Sequence, residues 1–268
     1  MLLYDQHTHS LHSHEKASIS TVEEMCLGAM KNGMAGIVIS DHYDLGRRPV
    51  EQVTDFIKSS VADIQTVKEK FEGRFHLGMG IELGEGHQDP EESAQAMALG
   101  PFDIVLGSLH NVYGRRDFSA IGKDFPDKKA LFREYMSEQL QMAQWGKYDV
   151  VTHLTYPFRY YMLGEGTPDI HDFEEELRVL FKLLAEKGKG IEVNTSGLYR
   201  PEHGLTMPGL WELKLFRECG GEIVTVGSDA HDMDHAGGGI AQGTALLKEA
   251  GFRYQALFCQ RKAHMLPI

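Results

Sequence analysis

Histidine and carboxylate side chains, which bind divalent metal ions, recur in short clusters along this sequence. His7 and His9 are separated by one residue. Asp229 and His231 repeat that spacing far along the chain. Alternate residues of a β-strand share a face, so such a pair at a strand end can direct two ligands at one ion. Further residues of these types lie between the pairs, at Asp41, His42, Glu82, His110 and His153. A single histidine is often only a partly buried polar residue, but this number of clusters predicts a metal site.

The expected ligand atoms are nitrogen and oxygen, because Cys26, Cys219 and Cys259 are not spaced for a thiolate site. This set of donors fits zinc, manganese or iron, and it exceeds what one ion can bind. We therefore predict two or three divalent metal ions, with the two oxygens of Glu82 bridging a pair of them. Two close cations can share a hydroxide that attacks phosphorus, because they lower the pKa of water to about 7. The predicted chemistry is metal-assisted hydrolysis by displacement at phosphorus.

Alternating strands and helices would position these ligands. Strands are predicted at 2–6, 35–40, 75–83, 102–108, 149–153, 190–195 and 222–227. Helices are clearest from Thr21 to about Asn32 and at 53–71, 128–144, 173–187 and 208–219. In a parallel α/β barrel the carboxyl ends of the strands meet on one face, where catalytic sites usually lie. The predicted fold class is therefore an α/β barrel, with the irregular segments 111–127 and 156–169 as candidate active-site loops.

Local signals mark the ends of two helices. Thr21 and Glu24 have the spacing of a capping box, in which each satisfies a backbone donor of the first turn. Pro208 is expected in the first turn of its helix, where its missing N–H costs nothing. The buried face of the first helix is predicted to carry Val22, Met25, Ala29 and Met30.

The composition is that of a globular protein with a small substrate. Hydrophobic residues make up 42% of the 268 residues and charged residues 25%, which allows a sizeable core. A net charge of −12 opposes binding to nucleic acid or an anionic membrane, so we expect neither as a partner. No targeting or membrane-spanning segment is predicted, and three cysteines, expected to be buried, suit a reducing compartment. We predict a cytoplasmic protein with a single barrel domain over 1–268, and leave open whether it is a monomer or a homo-oligomer.

Motifs along the whole chain resemble those of the polymerase and histidinol phosphatase (PHP) superfamily, in the same order. They are HTHS at 7–10, SDH at 40–42, GIE at 80–82, GSLH at 107–110, TH at 152–153, EVNTSGL at 192–198 and GSDAH at 227–231. Within the superfamily, the chain is similar to the stand-alone histidinol-phosphate phosphatases. The resemblance implies a distorted (β/α)7 TIM-like barrel with a trinuclear site at the carboxyl ends of the strands. It also implies hydrolysis of L-histidinol phosphate to L-histidinol and phosphate, a step of histidine biosynthesis.

The resemblance further implies a role for each ligand. A first ion would be held by His7, His9, Glu82 and Asp229, a second by Glu82, His110 and His153, and a third by His14, His42 and His231. His12 and Glu15 are alternatives for the third ion, because this stretch offers three ligands where the family expects one. The expected catalytic residues are Glu82, Asp229 and His231, of which the last two could pass a proton to the leaving alkoxide, as could a metal-bound water.

The family's phosphate-binding arginines look like Arg159 and Arg200 in this chain. A guanidinium suits this role because it can donate two parallel hydrogen bonds to phosphate oxygens. Arg115 and Arg116 are alternatives, and Glu85 is a candidate partner for the ammonium or imidazole of histidinol. The other histidines are expected at the surface or in packing, with the last two as possible substrate-loop residues: His76, His87, His171, His264, His203 and His235.

Three other functions fit parts of the same pattern. A related phosphoesterase would use the same ligands on a sugar phosphate, a nucleotide or a phosphodiester. An amidohydrolase-like enzyme holds two ions in a similar barrel and attacks a carbonyl carbon, so a third ion and converging arginines would disfavour it. A non-catalytic metal-binding or regulatory subunit is disfavoured by the full set of ligands.

Overall fold

Parallel strands form a nearly closed barrel in the computed structural model of the protein, which describes residues 2–121, 127–160, 166–200 and 204–268. The barrel strands are β1 (Tyr4–Thr8), β2 (Gly36–Ile39), β3 (His42–Asp44), β4 (His76–Gly84), β5 (Ile104–Ser108), β6 (Val150–Val151), β7 (Gly190–Asn194) and β8 (Val224–Gly227). Their order is β1-β2-β4-β5-β6-β7-β8, and β3 pairs with β4 beyond the end of β2. The first and last strands in this order, β1 and β8, are joined just beyond their ends, where the His9 N–H donates to the Ala230 carbonyl at 2.8 Å. The predicted α/β barrel is confirmed.

Helices follow most of the strands and pack against the outside of the barrel. They are α1 (Val22–Lys31), α2 (Val50–Phe71), α3 (Pro90–Met97), α4 (Phe118–Ile121), α5 (Lys128–Trp145), α6 (Tyr156–Tyr160), α7 (Glu174–Glu186), α8 (Ser196–Tyr199), α9 (Leu210–Glu218) and α10 (Ile240–Glu249). The short helices α4 and α6 lie within the two segments predicted as active-site loops. Within the described ranges, no helix combines the length and the apolar character needed to cross a membrane.

The capping box at the start of α1 is confirmed. The Glu24 N–H donates to the Thr21 hydroxyl at 3.2 Å, and the Thr21 N–H donates to the Glu24 carboxylate at 2.8 Å. Three of the four residues predicted on the buried face of α1 are buried, but Met30 is 39% exposed, so its prediction was wrong. Pro208 was also wrongly placed, because it precedes α9 and Gly209 occupies the N-cap position. Of the cysteines, Cys26 is buried as expected, whereas Cys219 is half-buried and Cys259 is exposed.

A C-terminal hairpin that was not predicted closes the amino-terminal end of the barrel. It consists of β9 (Tyr254–Cys259) and β10 (Lys262–Pro267), which pair with each other in antiparallel orientation. Ala256 and Phe258 pack on apolar side chains from β2, β5 and β6 in a separate buried cluster. The Gln260 N–H donates to Asp103 just before β5 at 3.0 Å, and the Phe258 N–H donates to the Gln6 side chain at 3.1 Å. The hairpin therefore fills the end of the barrel opposite the predicted site.

Candidate metal centre

The carboxylate of Glu82, on β4, lies at the centre of the predicted ligands and is fully buried. Its Oε1 is 3.0 Å from His153 Nε2 and 3.3 Å from His110 Nε2. Its Oε2 faces a second group of imidazoles, at 3.2 Å from His7 Nε2, 3.4 Å from His9 Nε2 and 3.0 Å from His42 Nδ1. Each carboxylate oxygen thus faces its own set of nitrogen donors, which is the arrangement needed for a carboxylate that bridges two cations.

A third group of donors surrounds the ring of His9. This ring stacks between those of His42 and His231, with both pairs of centroids 4.3 Å apart. Asp229 Oδ1 lies 3.4 Å from His9 Nε2. Ligand atoms of His9, His42 and His231 all lie within 4.8 Å of one another, close enough to share a metal ion. The structure therefore brings together residues from β1, β3 and the segment after β8.

The donor atoms in this cluster fit metal ions in their chemistry and in their hydrogen bonding. Buried polar atoms in proteins nearly always have a hydrogen-bond partner. Several buried atoms of the described cluster have none with acceptable geometry, namely Nε2 of His7, His9 and His231, Nδ1 of His42 and His153, and Oε2 of Glu82. Because these atoms converge from separate strands, divalent cations are the partners that best suit this set of nitrogen and oxygen donors.

Backbone geometry at the strand ends is unusual at two of the ligands. His153 has a φ of 28° and Asp229 a φ of 56°, a region that non-glycine residues rarely adopt. Such conformations cost free energy and persist where the surrounding structure enforces them, often at functional sites. Both residues lie two positions after the end of a barrel strand, so this local backbone helps to turn their side chains toward the cluster.

Glu192 supports two of the ligands from behind, and it was not assigned a role from the sequence. Its Oε1 lies 2.6 Å from His7 Nδ1, and its Oε2 accepts the His153 N–H at 3.0 Å. The Asn194 side chain also donates to Glu192 at 3.1 Å. A carboxylate behind a metal-facing histidine fixes the ring and its tautomer. The sequence signals were its place at the start of the EVNTSGL motif and an acidic residue inside an apolar strand.

Asp41 does not point at the ligands but organises the turn after β1. It accepts hydrogen bonds from the hydroxyls of Ser10 and Ser13 at 2.7 Å and from Ser60 at 2.5 Å. Ser13 in turn lies 3.1 Å from His9 Nδ1. Asp41 therefore acts on the cluster indirectly, through the serine that contacts His9.

The structure does not bring His14 to the cluster. Its ring stacks on Phe56 of α2, with centroids 3.5 Å apart. Glu15 takes the expected place instead, with Oε2 at 3.2 Å from His231 Nε2 and Oε1 at 3.8 Å from His42 Nε2. The reason is local: a 3-10 turn at Leu11–Ser13 ends with His14 in a left-handed conformation, which directs its ring away. The alternative His12 contacts Asp63 on α2 at 3.2 Å and also lies outside the cluster.

A cavity of about 530 Å³ opens directly over the cluster. Arg159 and Arg200 line it, and Arg159 is buried with Nη1 3.5 Å from Asp229 Oδ2. Arg47, which was not considered from the sequence, also lines this cavity. The alternative Arg115 is at the surface, where it pairs with Glu134 at 2.8 Å. Arg116 is also exposed.

The histidines outside the matched motifs occupy different surroundings. His235 lines the cavity, stacks on Tyr199 with centroids 4.7 Å apart and contacts Asp232 at 2.8 Å. His203 lies outside the described residues. The others lie away from the cluster and are His76, His87, His171 and His264. Glu85 is fully buried and accepts the His110 N–H at 2.6 Å, so the structure gives no support to its contact with substrate.

Close packing of acids and imidazoles shifts the proton affinities of the cluster. Burial would raise the pKa of Glu82, but His42 and His7 outweigh it and hold this pKa well below its usual range. Burial would lower the pKa of His110, but the neighbouring carboxylates outweigh it and raise this pKa to about 9. His9 differs, because burial and the adjacent imidazoles lower its pKa to about 3. Protons on the histidines whose pKa is raised thus balance the negative charge of the buried carboxylates. Metal ions would have to displace these protons in order to bind.

Nitrogen and oxygen donors at the carboxyl ends of a parallel barrel, beside a cavity lined by arginines, are typical of metal-dependent hydrolases. The sequence pattern of the PHP domain matches residues 5–196, and the chain belongs to this family. The resemblance inferred from the motifs is therefore confirmed.

Two relatives that match this chain over most of their length are named as a histidinol-phosphatase or a probable histidinol-phosphatase. The chain is 29% identical over 256 residues to a probable histidinol-phosphatase of Thermotoga maritima, and the match covers 95% of each chain. It is 27% identical over 266 residues to a histidinol-phosphatase of Lactococcus lactis, covering 97% of this chain and 94% of that one. Its fold is similar to the crystal structure of the Lactococcus lactis histidinol phosphate phosphatase with zinc, L-histidinol and phosphate, at a TM-score of 0.80. That comparison has 24% sequence identity and covers 98% of both chains.

Proposed function

We propose that the protein is a metal-dependent phosphomonoesterase that hydrolyses L-histidinol phosphate to L-histidinol and phosphate. The observation that carries the proposal is the position of Glu82, with separate imidazole groups at its two oxygens. The arginine-lined cavity beside it supports a phosphate ester as substrate. The choice of histidinol phosphate is supported by relatives of that name that match almost the whole chain.

The proposed ligands form three sets. The first is His7, His9, Glu82 and Asp229, the second is Glu82, His110 and His153, and the third is Glu15, His42 and His231. The third set replaces His14 by Glu15, because only Glu15 reaches the other two residues. Zinc, manganese and iron all suit these donors, and we propose two or three ions in the active enzyme. Zinc is present in the related Lactococcus lactis structure.

Bound divalent cations would activate water and neutralise phosphate charge at this place. The protein's own contribution begins with Arg159 and Arg200, which we propose as donors to the phosphate oxygens. Asp229 links the two parts of the site, since Oδ1 is 3.4 Å from His9 Nε2 and Oδ2 is 3.5 Å from Arg159 Nη1. This position suits proton transfer between water and the leaving oxygen at Asp229 Oδ2. His231 Nε2 is the alternative only in an enzyme with two ions, where this atom is not a metal ligand.

Phosphate release from a panel of substrates tests the proposed function. Chelated protein would be supplied with manganese or zinc and assayed on histidinol phosphate, a sugar phosphate, a nucleotide and a phosphodiester. We expect metal-dependent release, with the highest kcat/KM for histidinol phosphate. A higher kcat/KM on another ester would contradict the substrate, and full activity after chelation would contradict the metal dependence.

A matched pair of glutamate variants tests the site. Glu82→Gln keeps the shape of the side chain but removes its charge, so turnover should fall by about 100-fold or more. Glu175→Gln makes the same change at an exposed position on α7 and should leave turnover unchanged. Equal effects of the two substitutions would contradict the site assignment.

We further propose that the enzyme works in the cytoplasm on a small phosphate ester, without nucleic acid or membrane as a partner. The acidic net charge of −12 supports this, because it opposes binding to polyanionic surfaces. A single domain over 1–268 is also proposed, supported by relatives whose matches cover 95% and 97% of this chain.

A further inference from the structure

Arg47 contacts two acidic residues that belong to different parts of the site. Its Nη1 lies 3.0 Å from Asp44 Oδ2, and its Nη2 contacts Asp117 Oδ2. Asp44 belongs to β3, whereas Asp117 lies in the segment between β5 and α4. Arg47 and Asp117 both line the cavity over the metal cluster. One guanidinium therefore joins two carboxylates whose backbone segments are far apart in sequence.

A tight turn places Arg47 beside Asp44. The Arg47 N–H donates to the Asp44 carbonyl at 3.5 Å, and the turn contains Gly46 with a φ of 71°. Glycine adopts this positive φ without the cost that a side chain would add. Residues 44 and 47 thus lie side by side at the two ends of the turn. The contact is built into the backbone that follows β3.

Asp44 stands directly behind one of the proposed metal ligands. Its Oδ1 lies 3.2 Å from His110 Nδ1, and the other ring nitrogen, Nε2, lies 3.3 Å from Glu82 Oε1. Asp44 is only 7% exposed, so its negative charge requires nearby compensation. Burial alone would raise the pKa of Asp44, but Arg47 and the adjacent imidazoles hold it well below its usual range. A carboxylate in this position orients the imidazole and increases its basicity.

Asp117 connects the same guanidinium to the wall of the cavity. Its Oδ1 accepts the Ser119 N–H at 2.7 Å, so Asp117 holds the start of α4. The next residue, Phe118, is fully buried, and its N–H donates to the His110 carbonyl at 3.0 Å. Ser119 also lines the cavity. The segment is therefore fixed to the barrel through His110 on one side and through Arg47 on the other.

We propose that Arg47 is a positioning residue that couples the cavity wall at Asp117 to the metal-facing ring of His110, through Asp44. The guanidinium fixes Asp44 behind His110 and at the same time fixes the segment that shapes the substrate's side of the cavity. The effect of Arg47 on metal affinity does not depend on which substrate the protein uses. Its effect on turnover rests on the proposed phosphatase function.

Metal titration of chelated protein tests the first contact. Arg47→Gln should weaken binding of zinc or manganese by about 10-fold or more, the usual effect of losing support behind a ligand. The neighbouring Arg48 provides the matched control, because it donates to the His14 carbonyl and lies over Phe56, away from the cluster. Arg48→Gln should change metal affinity by less than about twofold. Equal metal affinities of the Arg47→Gln and Arg48→Gln variants would overturn the proposed coupling of Arg47 to His110.

Steady-state kinetics with saturating metal test the second contact. Asp117→Asn should raise KM several-fold while leaving metal affinity unchanged, because it loosens only the cavity wall. The double variant with Arg47→Gln and Asp117→Asn should have a KM no higher than that of Arg47→Gln alone. The reason is that both substitutions remove the same contact between Arg47 and Asp117. Additive effects on KM would overturn the proposed link.

Arg47→Lys separates positioning from simple charge. A lysine ammonium cannot span two carboxylates as a guanidinium does, so it should restore part of the metal affinity but not KM. If Arg47→Gln instead weakens inhibition by inorganic phosphate and leaves metal affinity intact, Arg47 binds phosphate directly and the proposal is wrong. Circular dichroism of each variant confirms folding. Failure of the wild type on histidinol phosphate would contradict the proposed function, while the metal titration would still decide the role of Arg47.

Discussion

At the scale of single residues, local backbone geometry decides which side chains reach the metal cluster. His7, His9, Glu82 and their partners were predicted because they lie near the ends of strands or just after them, and the structure brings them together. The stretch from His12 to Glu15 could not be resolved by spacing alone. A 3-10 turn followed by one left-handed residue decides which side chain reaches the cluster, and neither has a strong sequence signal.

Metal content distinguishes Glu15 from His14. Glu15→Ala should lower the number of ions bound per chain by one, because it removes the carboxylate beside His42 and His231. His14→Ala removes a ring that packs on Phe56 and should leave the metal content unchanged. Elemental analysis after dialysis against a fixed concentration of free metal measures both. A loss caused by His14→Ala alone would restore the sequence-based assignment.

The support from Glu192 can be measured in the same way. Glu192→Gln keeps the volume but removes the charge behind His7 Nδ1, so metal affinity should fall by about 10- to 100-fold. Calorimetric titration with zinc or manganese measures the change. Exposed Glu186, at the end of α7, offers the matched Glu→Gln control. Equal affinity of the Glu192 variant and the wild type would mean that this carboxylate does not position His7.

At the scale of elements, the helices and strands that alternate along the chain were predictable, whereas irregular pairing was not. The register between β1 and β2 shifts between Asp5 and Thr8. As a result Gln6 contacts the C-terminal hairpin while the adjacent His7 contacts Glu82. If the side chains of β1 alternated strictly between the two faces of the strand, Gln6 and His7 could not make both of these contacts. Irregularities of this kind have no reliable sequence pattern. The hairpin itself was missed because β10 is largely exposed and carries little apolar alternation.

Denaturant unfolding tests whether the hairpin stabilises the barrel. Phe258 is 3% exposed and fills the amino-terminal end, so Phe258→Ala should lower the free energy of unfolding by about 3 to 5 kcal/mol. Met265 on β10 is 40% exposed, and Met265→Ala should change it by less than about 0.5 kcal/mol. Similar losses from both would show that the cluster at this end contributes little.

At the scale of the whole molecule, the barrel collects side chains from distant parts of the sequence into one buried cluster of acids and imidazoles. The topology was predictable because parallel barrels gather strand ends on one face. Residues that act from behind, such as Asp41, Asp44 and Glu192, were not assigned because their roles depend on three-dimensional contacts. The same holds for Arg47, which lies in no recognised motif. Sequence therefore predicted the ligands better than the groups that orient them.

The charge balance of this cluster predicts a pH dependence of metal binding. The pKa of His110 is raised to about 9, so this imidazole carries a proton through the neutral range in the metal-free protein. Metal binding must release that proton, and metal affinity should therefore rise with pH from the neutral range up to about 9. The slope below this value should approach about tenfold per pH unit for each proton released. Metal titrations between pH 6 and 10, in a buffer that does not bind metal, measure this slope. A metal affinity that does not change with pH would contradict the competition between metal ions and protons.

Anomalous X-ray scattering from crystals grown with manganese or zinc tests the central claim most directly. We predict two strong peaks, one beside each carboxylate oxygen of Glu82, with the first also near His7 and His9 and the second near His110 and His153. Metal peaks only at the protein surface, with none within bonding distance of Glu82, would contradict the account.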